Sequence, residues 1–542
     1  MGSAKEILYE ILKLREIERT DDISEFLSAK PQKAYNPFLL LNMEAGVDLL
    51  LSEIKSGSRI CIYGDYDADG VTSICIMMSV LSALTHNIMY YIPSRFEEGY
   101  GLNNEAIDRV KAQGAELLIT VDCGSVSYDE VEYAKSLGMK VIVTDHHSID
   151  SIKADCILIN PKQKECAYPF KGLAGCGVAF KFAQAVTQRA ALGSHLLHKA
   201  LDFVAIGTVG DIVPLVDENR TLVKYGLAKI NDAGGRKSIR SLVEAISIPY
   251  VTAERIAYGL APHINAAGRM AQAKIAAELL LSERDGEIDR LVSQLVEYNG
   301  RRRKLQDEAY DKCSQRISGQ DDFLVLRMDD MHEGIGGIVA GKIKENFYRP
   351  VVILTPSGQG LLKGTGRSIP GVDIYRLLKN HDELFIRFGG HESACGFLIP
   401  EENMFKFREL VNTDIAILKE KTPSLFEREN KWELKLTPGE ATVELAKELM
   451  FLEPCGEGNQ KPVFYIEDVQ PSSLKFMGSE EQHLKFTVTG RDGSSLECVF
   501  FGRAQEKKDL LDGGSSVDIM GRVSLHIWRG SESVQFIVEE IL

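Results

Sequence analysis

The stretch that most constrains the fold is a short apolar run followed at once by three alternating carboxylates. Residues 60–63 are apolar and typical of a buried strand, and Asp65, Asp67 and Asp69 come directly after them. The apolar residues 71–84 that follow predict a buried helix, too short to span a bilayer. Three carboxylates this close repel one another unless a cation lies between them. The stretch therefore predicts a strand, an acidic turn that binds a divalent metal, and a helix.

Other binding loops fit this stretch poorly. An EF-hand loop would need a bidentate glutamate where Ile76 stands, and it would follow a helix rather than a strand. A Rossmann or P-loop turn would need a run of glycines or a Lys-Ser/Thr pair, and an acidic turn repels phosphate when no metal intervenes. A solvated acidic turn without a ligand remains as the alternative.

Composition predicts a multidomain protein of a reducing compartment. A chain of 542 residues with 44% hydrophobic residues is expected to form two to four globular domains. Its ten cysteines form neither a CxxC pair nor a zinc-like spacing with histidine, which favours free thiols. The N-terminus lacks a signal-peptide core and we find no stretch long enough for a transmembrane helix, so we expect a cytoplasmic protein without membrane contact.

Charge alone gives a mixed prediction about nucleic acid. The net charge of −15 argues against a nucleic-acid partner when it is taken over the whole chain. Carboxylates that bind metal or lie on a distant face weaken that argument, and residues 301–304 form a basic Arg-Arg-Arg-Lys cluster within an acidic helix. A solvated helix face is the alternative interpretation of this cluster.

Apolar runs alternate with helical segments from residue 58 onward. The runs 115–121, 140–144 and 156–159 end at Asp122, at Asp145-His146-His147 and at Asn160 respectively. Strands separated by helices predict a doubly wound parallel sheet, in which ligands bind at the carboxyl ends of the strands. We therefore expect acids and histidines from three segments to meet at one edge of the sheet.

Two later segments contain further polar residues that are candidates for the functional site. A helix over residues 196–208 runs on to Asp211, an acid in an apolar setting that needs a partner if it is buried; a helix cap is the alternative. The segment Ala261–Met270 is predicted to be a loop, in which Asn265 and Arg269 beside glycine suit contact with phosphate.

The remainder predicts a helical connector, a second α/β domain and a β-barrel. Residues 272–317 favour long helices, and a glycine-rich helix over 335–347 lies between strands 323–327 and 350–354. Glycines next to Arg367 and Ser368, and before His391, let backbone amides approach an anion, a weak signal in each case.

From residue 463 the pattern becomes all-β. Five strands with a helix after the third are typical of an OB-fold. Phe486, Phe500, Phe501 and Trp528 are predicted to face outward and stack on bases, with barrel core as the alternative for each.

Six motifs occur here in one order, each weak alone and specific as an ordered set. They are Gly-Asp-Tyr-Asp-Ala-Asp-Gly (64–70), Asp-His-His (145–147), Gly-Asp-Ile-Val-Pro-Leu (210–215), Asn-Ala-Ala-Gly-Arg (265–269), Gly-Arg-Ser (366–368) and Gly-Gly-His (389–391). Together they resemble the DHH phosphoesterase superfamily with its DHHA1 partner domain. With the OB-like domain, the chain is similar to the bacterial members that are exonucleases specific for single-stranded DNA.

The resemblance implies a fold class and boundaries. It implies an α/β protein with a doubly wound parallel-sheet DHH domain, a long helical connector, a smaller α/β DHHA1 domain and a C-terminal OB-fold β-barrel. The expected boundaries are 1–57 for an N-terminal helical segment, 58–271 for the DHH domain, 272–318 for the connector, 319–415 for the DHHA1 domain, 416–456 for a linker and helix, and 457–542 for the OB-fold.

The resemblance also implies residue roles. Two Mn²⁺ or Mg²⁺ ions are expected on Asp67, Asp69, Asp122, His146 and Asp211, with Asp122 bridging. The catalytic set adds Asp65, as a further ligand or an acid beside the metals, and His147 and Arg269 at the scissile phosphate. Substrate contacts are expected from Arg95, His263, Asn265, Arg367, Ser368, Gly389, Gly390 and His391, and from Phe486 and Trp528 of the barrel.

Two positions depart from the family pattern. His263 stands where relatives often carry arginine, which puts one phosphate contact in doubt. Tyr63 stands where related phosphatases carry a metal-binding histidine, so one metal is expected to have fewer protein ligands.

The implied activity is 5′→3′ degradation of single-stranded DNA to 5′-mononucleotides in repair and recombination. The family suggests a monomer that works beside a helicase and a single-strand-binding protein. The first alternative is a DHH phosphodiesterase for short oligonucleotides or cyclic dinucleotides, against which the OB-like domain argues. The second is a non-catalytic single-strand-binding scaffold, against which the intact set of metal ligands argues.

Overall fold

The chain folds into two compact units. The computed structural model describes residues 3–96, 98–99, 101–149, 152–317, 319, 321–478, 481–512 and 515–542. The first unit contains the residues up to Pro262 together with Ala276–Asp289 and Lys431–Leu542, and the second contains His263–Ile275 and Arg290–Asn430. All ten cysteines are free thiols. In the part of the chain that the structure describes, every helix is too short or too polar to cross a lipid bilayer.

The first unit begins with helices and a five-stranded parallel sheet. The elements are α1 (Ala4–Leu14), α2 (Thr20–Leu27), α3 (Met43–Ser56), β1 (Ile60–Gly64), α4 (Ala68–Leu81), β2 (Ile88–Tyr91), α5 (Asn104–Ala112), β3 (Leu117–Val121), α6 (Tyr128–Ser136), β4 (Lys140–Thr144) and β5 (Ile157–Ile159). The strand order is β2-β1-β3-β4-β5, and every pair is parallel. The predicted doubly wound sheet is confirmed.

Helix cover on both faces explains the composition of this sheet. All five residues of β1 and of β3 are buried, which is why both strands are continuous apolar runs rather than alternating ones. The edge strand β2 is only half-buried, and its short Ile-Met-Tyr-Tyr sequence was not recognised as a strand from the pattern. The strands that carry the acidic turns are therefore the central ones, where packing fixes the backbone most firmly.

A series of helices follows the sheet along the chain. Its elements are α7 (Gly175–Arg189), α8 (His195–Gly210), α9 (Asp217–Asn231), α10 (Lys237–Ala245), α11 (Ala253–Arg255), α12 (Ala261–Met270), α13 (Lys274–Leu281) and α14 (Asp285–Gln315). Of these helices, α12 and α14 lie mostly in the second unit. The expectation of a loop over Ala261–Met270 was wrong, because this segment is helical.

Pro262 is an unusual residue within a helix, because proline normally breaks one. Here the preceding turn, Ile256–Leu260, is a π-helix in which the Ala261 amide bonds to the Ile256 carbonyl, five residues back. The wider turn accommodates a proline that lacks an amide proton and would otherwise clash with the preceding turn.

The second unit is a smaller α/β fold. Its sheet and helices are β6 (Leu324–Arg327), α15 (Gly336–Phe347), β7 (Val351–Pro356), β8 (Leu361–Arg367), α16 (Ile374–Lys379), β9 (Arg387–His391), β10 (Ala394–Pro400) and α17 (Met404–Lys421). The strand order is β6-β7-β8-β10-β9, in which only the β6–β7 pair is parallel. The second α/β unit predicted from Phe323 onward is confirmed.

The C-terminal part of the first unit is a closed barrel. Its elements are β11 (Leu434–Lys435), α18 (Val443–Leu449), β12 (Phe464–Met477), β13 (His483–Thr489), β14 (Ser495–Phe500), α19 (Lys508–Asp512), β15 (Val517–Trp528) and β16 (Ser531–Ile541). The order β12-β13-β14-β16-β15 closes through a further β12–β15 pairing. With α19 between the third and fourth barrel strands, the predicted OB-fold is confirmed.

The first helix of the chain completes the core of this last domain. Ile7, Leu8, Ile11 and Leu12 of α1 are buried in one hydrophobic cluster with the barrel interior. Beyond the helix, the Arg15 guanidinium donates to the Glu433 carboxylate at 2.8 Å. Apolar residues at helical spacing predicted the helix but not what it packs against.

A buried ion pair ties the N-terminal segment to α7 and α9. The Lys181 ammonium, on α7, lies 2.9 Å from the Glu218 carboxylate on α9, and both side chains are almost fully buried. Lys181 also donates to the Tyr35 carbonyl, and the Tyr168 hydroxyl donates to Glu218. Burial lowers the pKa of Lys181, and the Glu218 carboxylate opposes that shift. The pair thereby fixes α7, whose first turn borders the acidic turns described below.

Removing one partner of this pair should be costly. We expect Lys181→Met to lower the free energy of unfolding by about 3–5 kcal/mol, because Glu218 is left buried without its counterion. Lys135→Met removes a solvent-exposed lysine that pairs with Glu132 and should cost about 1 kcal/mol or less. Urea unfolding of both variants measures the difference, and equal shifts would contradict the role of the buried pair.

Candidate metal centre

Strand register brings three acidic turns to one edge of the first sheet. Gly64, the last residue of β1, lies opposite Val121 of β3, and Val121 lies opposite Thr144 of β4. The next residue of each strand is an aspartate, namely Asp65, Asp122 and Asp145. Parallel pairing of three buried strands thus places three carboxylates side by side at their carboxyl ends.

The first acidic turn is shaped by its own hydrogen bonds. Asp67 is the N-cap of α4, and its Oδ1 accepts hydrogen bonds from the amides of Asp69 and Gly70 at 3.0 Å each. A Cβ at Gly70 would overlap the Asp65 carbonyl, so the turn closes this tightly only with glycine. Among the described residues, the hydrogen bonds to the Asp67 carboxylate both reach Oδ1, so its second oxygen can face a ligand.

Asp69 is held by the first turn of α7. Its two carboxylate oxygens accept hydrogen bonds from the amides of Gly175 and Cys176, at 2.7 and 2.8 Å. The amino end of a 15-residue helix favours negative charge, so this contact suits a carboxylate. The sequence pattern pointed to a helix here but not to its role as a clamp on a carboxylate.

Two glycines allow the surrounding helices to approach the carboxylates. A Cβ at Gly175 would overlap the Asp122 carboxylate, and a Cβ at Gly207 would lie 2.9 Å from Asp69 Oδ1. Both glycines lie in helices, where glycine is normally unfavourable. Because they lack a Cβ, these glycines allow α7 and α8 to pack directly against the acidic turns.

Asp122 occupies a left-handed backbone conformation, with φ of 60°. Aspartate tolerates this region better than most residues. Its amide continues the β3–β4 ladder by donating to the Thr144 carbonyl at 3.0 Å. Burial, followed by the charges of Asp69, Asp67 and Asp211, raises the pKa of Asp122 well above its usual value. The turn thus forces a carboxylate into a place where its charge is unfavourable without a cation.

His146 faces three carboxylates at once. Its Nε2 lies 3.2 Å from Asp122 Oδ1, 3.5 Å from Asp211 Oδ2 and 3.9 Å from Asp69 Oδ2. Within the described residues, neither ring nitrogen has a hydrogen-bond partner. Burial lowers the pKa of His146 to about 4, so the ring is neutral near pH 7 and offers a lone pair.

The next histidine has the opposite protonation. His147 Nδ1 lies 2.7 Å from Asp145 Oδ1, and the ring is 44% exposed. Burial works against the charged form, but the Asp145 carboxylate, with Asp211 and Asp69, raises the pKa of His147 to about 9. Adjacent residues therefore supply a neutral nitrogen and an imidazolium.

Asp145 organises this turn, a role that the sequence pattern did not assign to it. Its Oδ1 accepts from the amides of His146 and His147, at 2.7 and 3.2 Å, and its Oδ2 accepts from the Ser125 amide at 2.9 Å. Burial would raise the pKa of Asp145, but the His147 hydrogen bond leads a group of interactions that lower it overall. Asp145 is thus a buried carboxylate already satisfied by protein groups.

The donor set fits divalent metal ions. Ligand atoms of Asp69, His146 and Asp211 lie within 4.8 Å of one another, as do those of Asp122, Asp145, His146 and His147. Burial, with Asp69 and Asp67 nearby, raises the pKa of Asp211 to about 8. One buried oxygen of Asp122 lacks a hydrogen bond among the described residues. Carboxylate oxygens with one imidazole suit Mn²⁺ or Mg²⁺.

Asp65 and Arg95 lie beside this group. Asp65 is buried, and burial followed by the Asp67 charge raises its pKa well above the usual value, while Arg95 opposes the shift. The Arg95 guanidinium lies over the Tyr66 ring, 4.2 Å from its centroid. Among the described residues, the buried Arg95 Nε has no hydrogen-bond acceptor. Arg95 is therefore placed to meet an anion at this edge.

Tyr63 does not take the place of a metal ligand. Its hydroxyl donates to the Gly101 carbonyl at 2.8 Å, and its ring stacks on Tyr91. The phenol is buried in the cluster between the sheet and α5. At this position the chain uses an aromatic ring for packing.

The second unit contains His263, Asn265 and Arg269, which were predicted to lie in the DHH domain (58–271), as well as the predicted contacts of the DHHA1 domain. His263 Nε2 lies 3.0 Å from Asn299 Nδ2, and Arg269 donates to the Gly334 carbonyl at 3.0 Å. Both residues lie on α12 together with Asn265. The helix, rather than the expected loop, sets their spacing.

The arginine and glycine motifs of the second unit differ in exposure. Burial lowers the pKa of Arg367, and the nearby Cys395 thiol opposes that shift. Ser368 is buried and its hydroxyl donates to the Val372 carbonyl at 2.6 Å, which favours a role in shaping the turn. Gly389, Gly390 and His391 lie on the exposed edge strand β9. They present backbone and imidazole to solvent.

The barrel aromatics divide into two pairs. Phe486 is 1% exposed and Phe500 is also buried, so the prediction that they face outward was wrong. Phe486 occupies an inward position of the alternating strand β13, which is filled by the barrel core. Phe501 and Trp528 are 55% and 64% exposed, as predicted, and the Arg529 guanidinium lies over the Trp528 ring.

Three protein-family models match the chain. The DHH family N-terminal domain matches residues 59–208, the DHHA1 domain matches 320–416 and the RecJ OB domain matches 432–540. Each match covers a separate stretch, in the chain order that the motifs predicted.

Known proteins resemble the chain along nearly its whole length. The single-stranded-DNA-specific exonuclease RecJ of Bacillus subtilis (strain 168) is 33% identical over 98% of this chain and 67% of its own. RecJ of Escherichia coli (strain K12) is 35% identical over 93% of this chain and 90% of its own. The crystal structure of RecJ in complex with Mn²⁺ from Thermus thermophilus matches with a TM-score of 0.84 at 29% identity, covering 98% of this chain and 75% of that one.

Metal should stabilise this edge of the sheet, and Asp122 should be required for the effect. At a Mn²⁺ concentration 100 times the dissociation constant, we expect the wild-type chain to gain about 2.7 kcal/mol in its free energy of unfolding. Asp122→Asn keeps the size and the tolerance of left-handed φ but removes one charge. It should be at least as stable as wild type in EDTA, because one repulsive charge is gone, and it should gain less from Mn²⁺.

Thermal unfolding with EDTA or Mn²⁺ measures both effects. Asp155→Asn, at a carboxylate that is 74% exposed and paired with Lys135, serves as the matched control and should respond to Mn²⁺ like wild type. Equal gains from Mn²⁺ in all three proteins would rule out a metal centre at Asp122.

Proposed function

The chain belongs to the RecJ family of single-stranded-DNA-specific exonucleases, and we propose that it hydrolyses single-stranded DNA with two divalent metal ions at the Asp69–Asp122–His146–Asp211 cluster. The observation that carries the proposal is the convergence of buried carboxylates and a neutral imidazole at one sheet edge. The Mn²⁺-bound relative from Thermus thermophilus supports the choice of metal.

The positions of the ligand atoms indicate which residues would hold the metals. Asp69, Asp122, His146 and Asp211 present ligand atoms to one space, and Asp67 offers the oxygen not used in capping α4. Two Mn²⁺ or Mg²⁺ ions bound there supply a nucleophilic water and stabilise charge on the phosphoryl oxygens. Asp122 lies closest to the His146 ring and is the proposed shared ligand.

His147 is the proposed contact to the scissile phosphate. Its pKa of about 9 keeps the imidazolium charged near neutral pH, and its half-exposed ring lets a phosphate oxygen approach. Asp145 fixes the ring through Nδ1, and Nε2 is the donor proposed to contact the substrate. Asp65, buried and with a raised pKa, is the proposed acid beside the metals.

Substrate binding is assigned to groups that offer donors or stacking surfaces. Arg95 lies beside the acidic edge, and its unsatisfied Nε suits a phosphate of the entering strand. In the second unit, Arg367, Arg269 and His391 are the proposed phosphate contacts, supported by His263 and Asn265 on α12.

The proposed reaction is hydrolysis of one phosphodiester bond per step. Water adds to phosphorus, the bond from phosphorus to the 3′ oxygen breaks, and that oxygen takes up a proton. The product is a 5′-mononucleotide, and the 5′→3′ direction follows the family resemblance. Repair and recombination of DNA are the processes in which such an activity is used.

The proposed setting is the cytoplasm, because all ten cysteines are free thiols. The proposed active form is a monomer, with a helicase to expose the strand and a single-strand-binding protein to hold it. A nuclease confined to single strands needs another protein to separate a duplex.

End-labelled oligonucleotides test the proposed function. We expect the wild-type chain with Mn²⁺ to release labelled mononucleotide at once from a single strand labelled at its 5′ end, and only late from one labelled at its 3′ end. Asp122→Ala should lose the activity, because it removes the proposed shared ligand, and an intact blunt duplex should be resistant. Binding without cleavage in Mn²⁺ and Mg²⁺ would point to a scaffold, and cleavage of dinucleotides alone would point to a small-substrate phosphodiesterase.

Trp528 should add binding energy without taking part in the chemistry. It lies at the exposed end of β15, and stacking of a base on an aromatic ring contributes about 1–3 kcal/mol. We expect Trp528→Ala to weaken binding of a long single strand about fivefold or more, raising KM with little change in kcat. Fluorescence anisotropy and steady-state kinetics measure the two effects.

Phe486→Leu is the control for Trp528→Ala. It alters a buried ring of the same barrel and should lower stability rather than DNA affinity. Unchanged DNA affinity in Trp528→Ala would remove this residue from the binding surface.

A further inference from the structure

The carboxylate of Asp211 is supported differently from its neighbours. Asp69 is clamped by two amides of α7, and Asp122 is set by strand register. Within the described residues, no hydrogen bond from the protein holds the Asp211 carboxylate, and it is 24% exposed against 1% for Asp69 and 4% for Asp122. Its position therefore depends on the backbone that carries it.

That backbone is strained directly after Asp211. Ile212 has φ of 60° and is 70% exposed, although it is β-branched and apolar. A β-branched residue in the left-handed region costs of order 1–3 kcal/mol and persists only where surrounding structure imposes it. Ile212 follows the C-cap of α8 and its amide donates to the Val209 carbonyl at 3.3 Å, a place where glycine usually adopts this conformation. An isoleucine there depends on support from α8 on one side and from the rest of the 211–216 segment on the other.

The 211–216 segment rests on a loop from the C-terminal part of the chain, residues 451–459. The Leu215 amide donates to the Glu457 carbonyl at 2.7 Å. A Cβ at Gly456 would lie 2.7 Å from Leu215 Cδ1, and one at Gly458 would lie 3.0 Å from Pro214 Cβ. The 451–459 loop is thus packed against the segment as closely as glycine permits.

Side chains from other parts of the first unit hold the 451–459 loop through hydrogen bonds. The Arg220 guanidinium on α9 donates to the carbonyls of Phe451, Leu452, Glu453 and Pro454 at 2.9–3.2 Å. Asn459 Nδ2 donates to the Leu452 and Pro454 carbonyls at 2.8 Å each. Arg15 Nη1 donates to Asn459 Oδ1 at 2.6 Å, so α1 also supports the loop. Hydrogen bonds to a charged donor are the stronger kind, which makes this a stiff support.

We propose that the 451–459 loop positions Asp211 for metal binding, so that Gly456, Gly458 and Arg220 are positioning residues of the metal centre. The loop presses on Leu215 and Pro214, which hold the strained backbone at Ile212 and thereby place the Asp211 carboxylate facing His146. The inference rests on the proposed function in one respect, namely that the ligand of Asp211 is a divalent ion. It adds that residues preceding the OB barrel, and not only the DHH domain, determine metal affinity.

Gly456→Ala in the full chain is the sharpest test. Gly456 has no positive φ, so alanine adds only a Cβ directed at Leu215. Gly286→Ala is the matched control, because a Cβ there meets no atom within 4 Å. Binding of Mn²⁺ alone, without DNA, is followed by electron paramagnetic resonance of the free ion. We expect Gly456→Ala to weaken binding of an ion about tenfold, the low end for changes behind metal ligands, and Gly286→Ala to match wild type.

Activity gives a second readout. Excess Mn²⁺ should restore DNA cleavage by Gly456→Ala, whose ligands are intact, but not by Asp211→Ala. If Gly456→Ala does not fold, Leu215→Ala, which removes the side chain that Gly456 contacts, takes its place. Equal Mn²⁺ affinities in this loop-contact variant and the Gly286→Ala control would overturn the inference alone. Absence of Mn²⁺ binding by the wild-type chain would overturn the proposed function and this inference with it.

Discussion

Burial of several neighbouring carboxylates at one sheet edge is the constraint on which the rest of the structure depends. Asp65, Asp122 and Asp211 all have raised pKa values, chiefly because they are buried and then because other aspartates lie nearby. A fold can hold these buried carboxylates in place only if several independent contacts fix the backbone that carries them. The central strands, the α7 amides and the glycines at helix contacts meet this need with main-chain geometry, which a loss of charge does not disturb.

The Asp-His-His turn shows how one short sequence provides three kinds of chemistry. Asp145 is anionic and fully engaged by amides and His147, so it acts on the backbone rather than on the ligand. His146 has a pKa of about 4 and His147 one of about 9, so the same residue type supplies a lone pair at one position and a positive charge at the next. Burial lowers the pKa of both rings, and the Asp145 carboxylate 2.7 Å from His147 Nδ1 is what raises that of His147.

Sequence patterns predicted those parts of the molecule that depend on local rules. The alternation of apolar runs and helices gave the parallel sheet, and five strands with one helix gave the barrel order. Asp122 and His146 were identified because strand ends in a parallel sheet are places where ligands bind.

What escaped prediction depends on contacts between distant residues. The amides of Gly175 and Cys176 clamp Asp69 across more than one hundred positions, and no local pattern distinguishes them from an ordinary helix start. Residues of a barrel strand face the core and the solvent in turn, but the sequence does not show which of the two sets faces the core. Phe486 was therefore predicted to face outward although it is buried. The helix Ala261–Met270 was predicted as a loop, and the π-turn that precedes it and accommodates Pro262 leaves no mark in the sequence.

The packing of α1 into the barrel core has a consequence for synthesis on the ribosome. Ile7 and Leu8 are translated long before the barrel strands that cover them, the first of which starts at Phe464. At 5–20 residues per second, the nascent chain carries this apolar helix uncovered for about 20 to 90 seconds. The helix is therefore a natural binding site for chaperones during translation, and a chain released early keeps it exposed. Covering that surface requires the barrel strands to be made, so exposure of α1 distinguishes chains that lack the barrel from chains that have it.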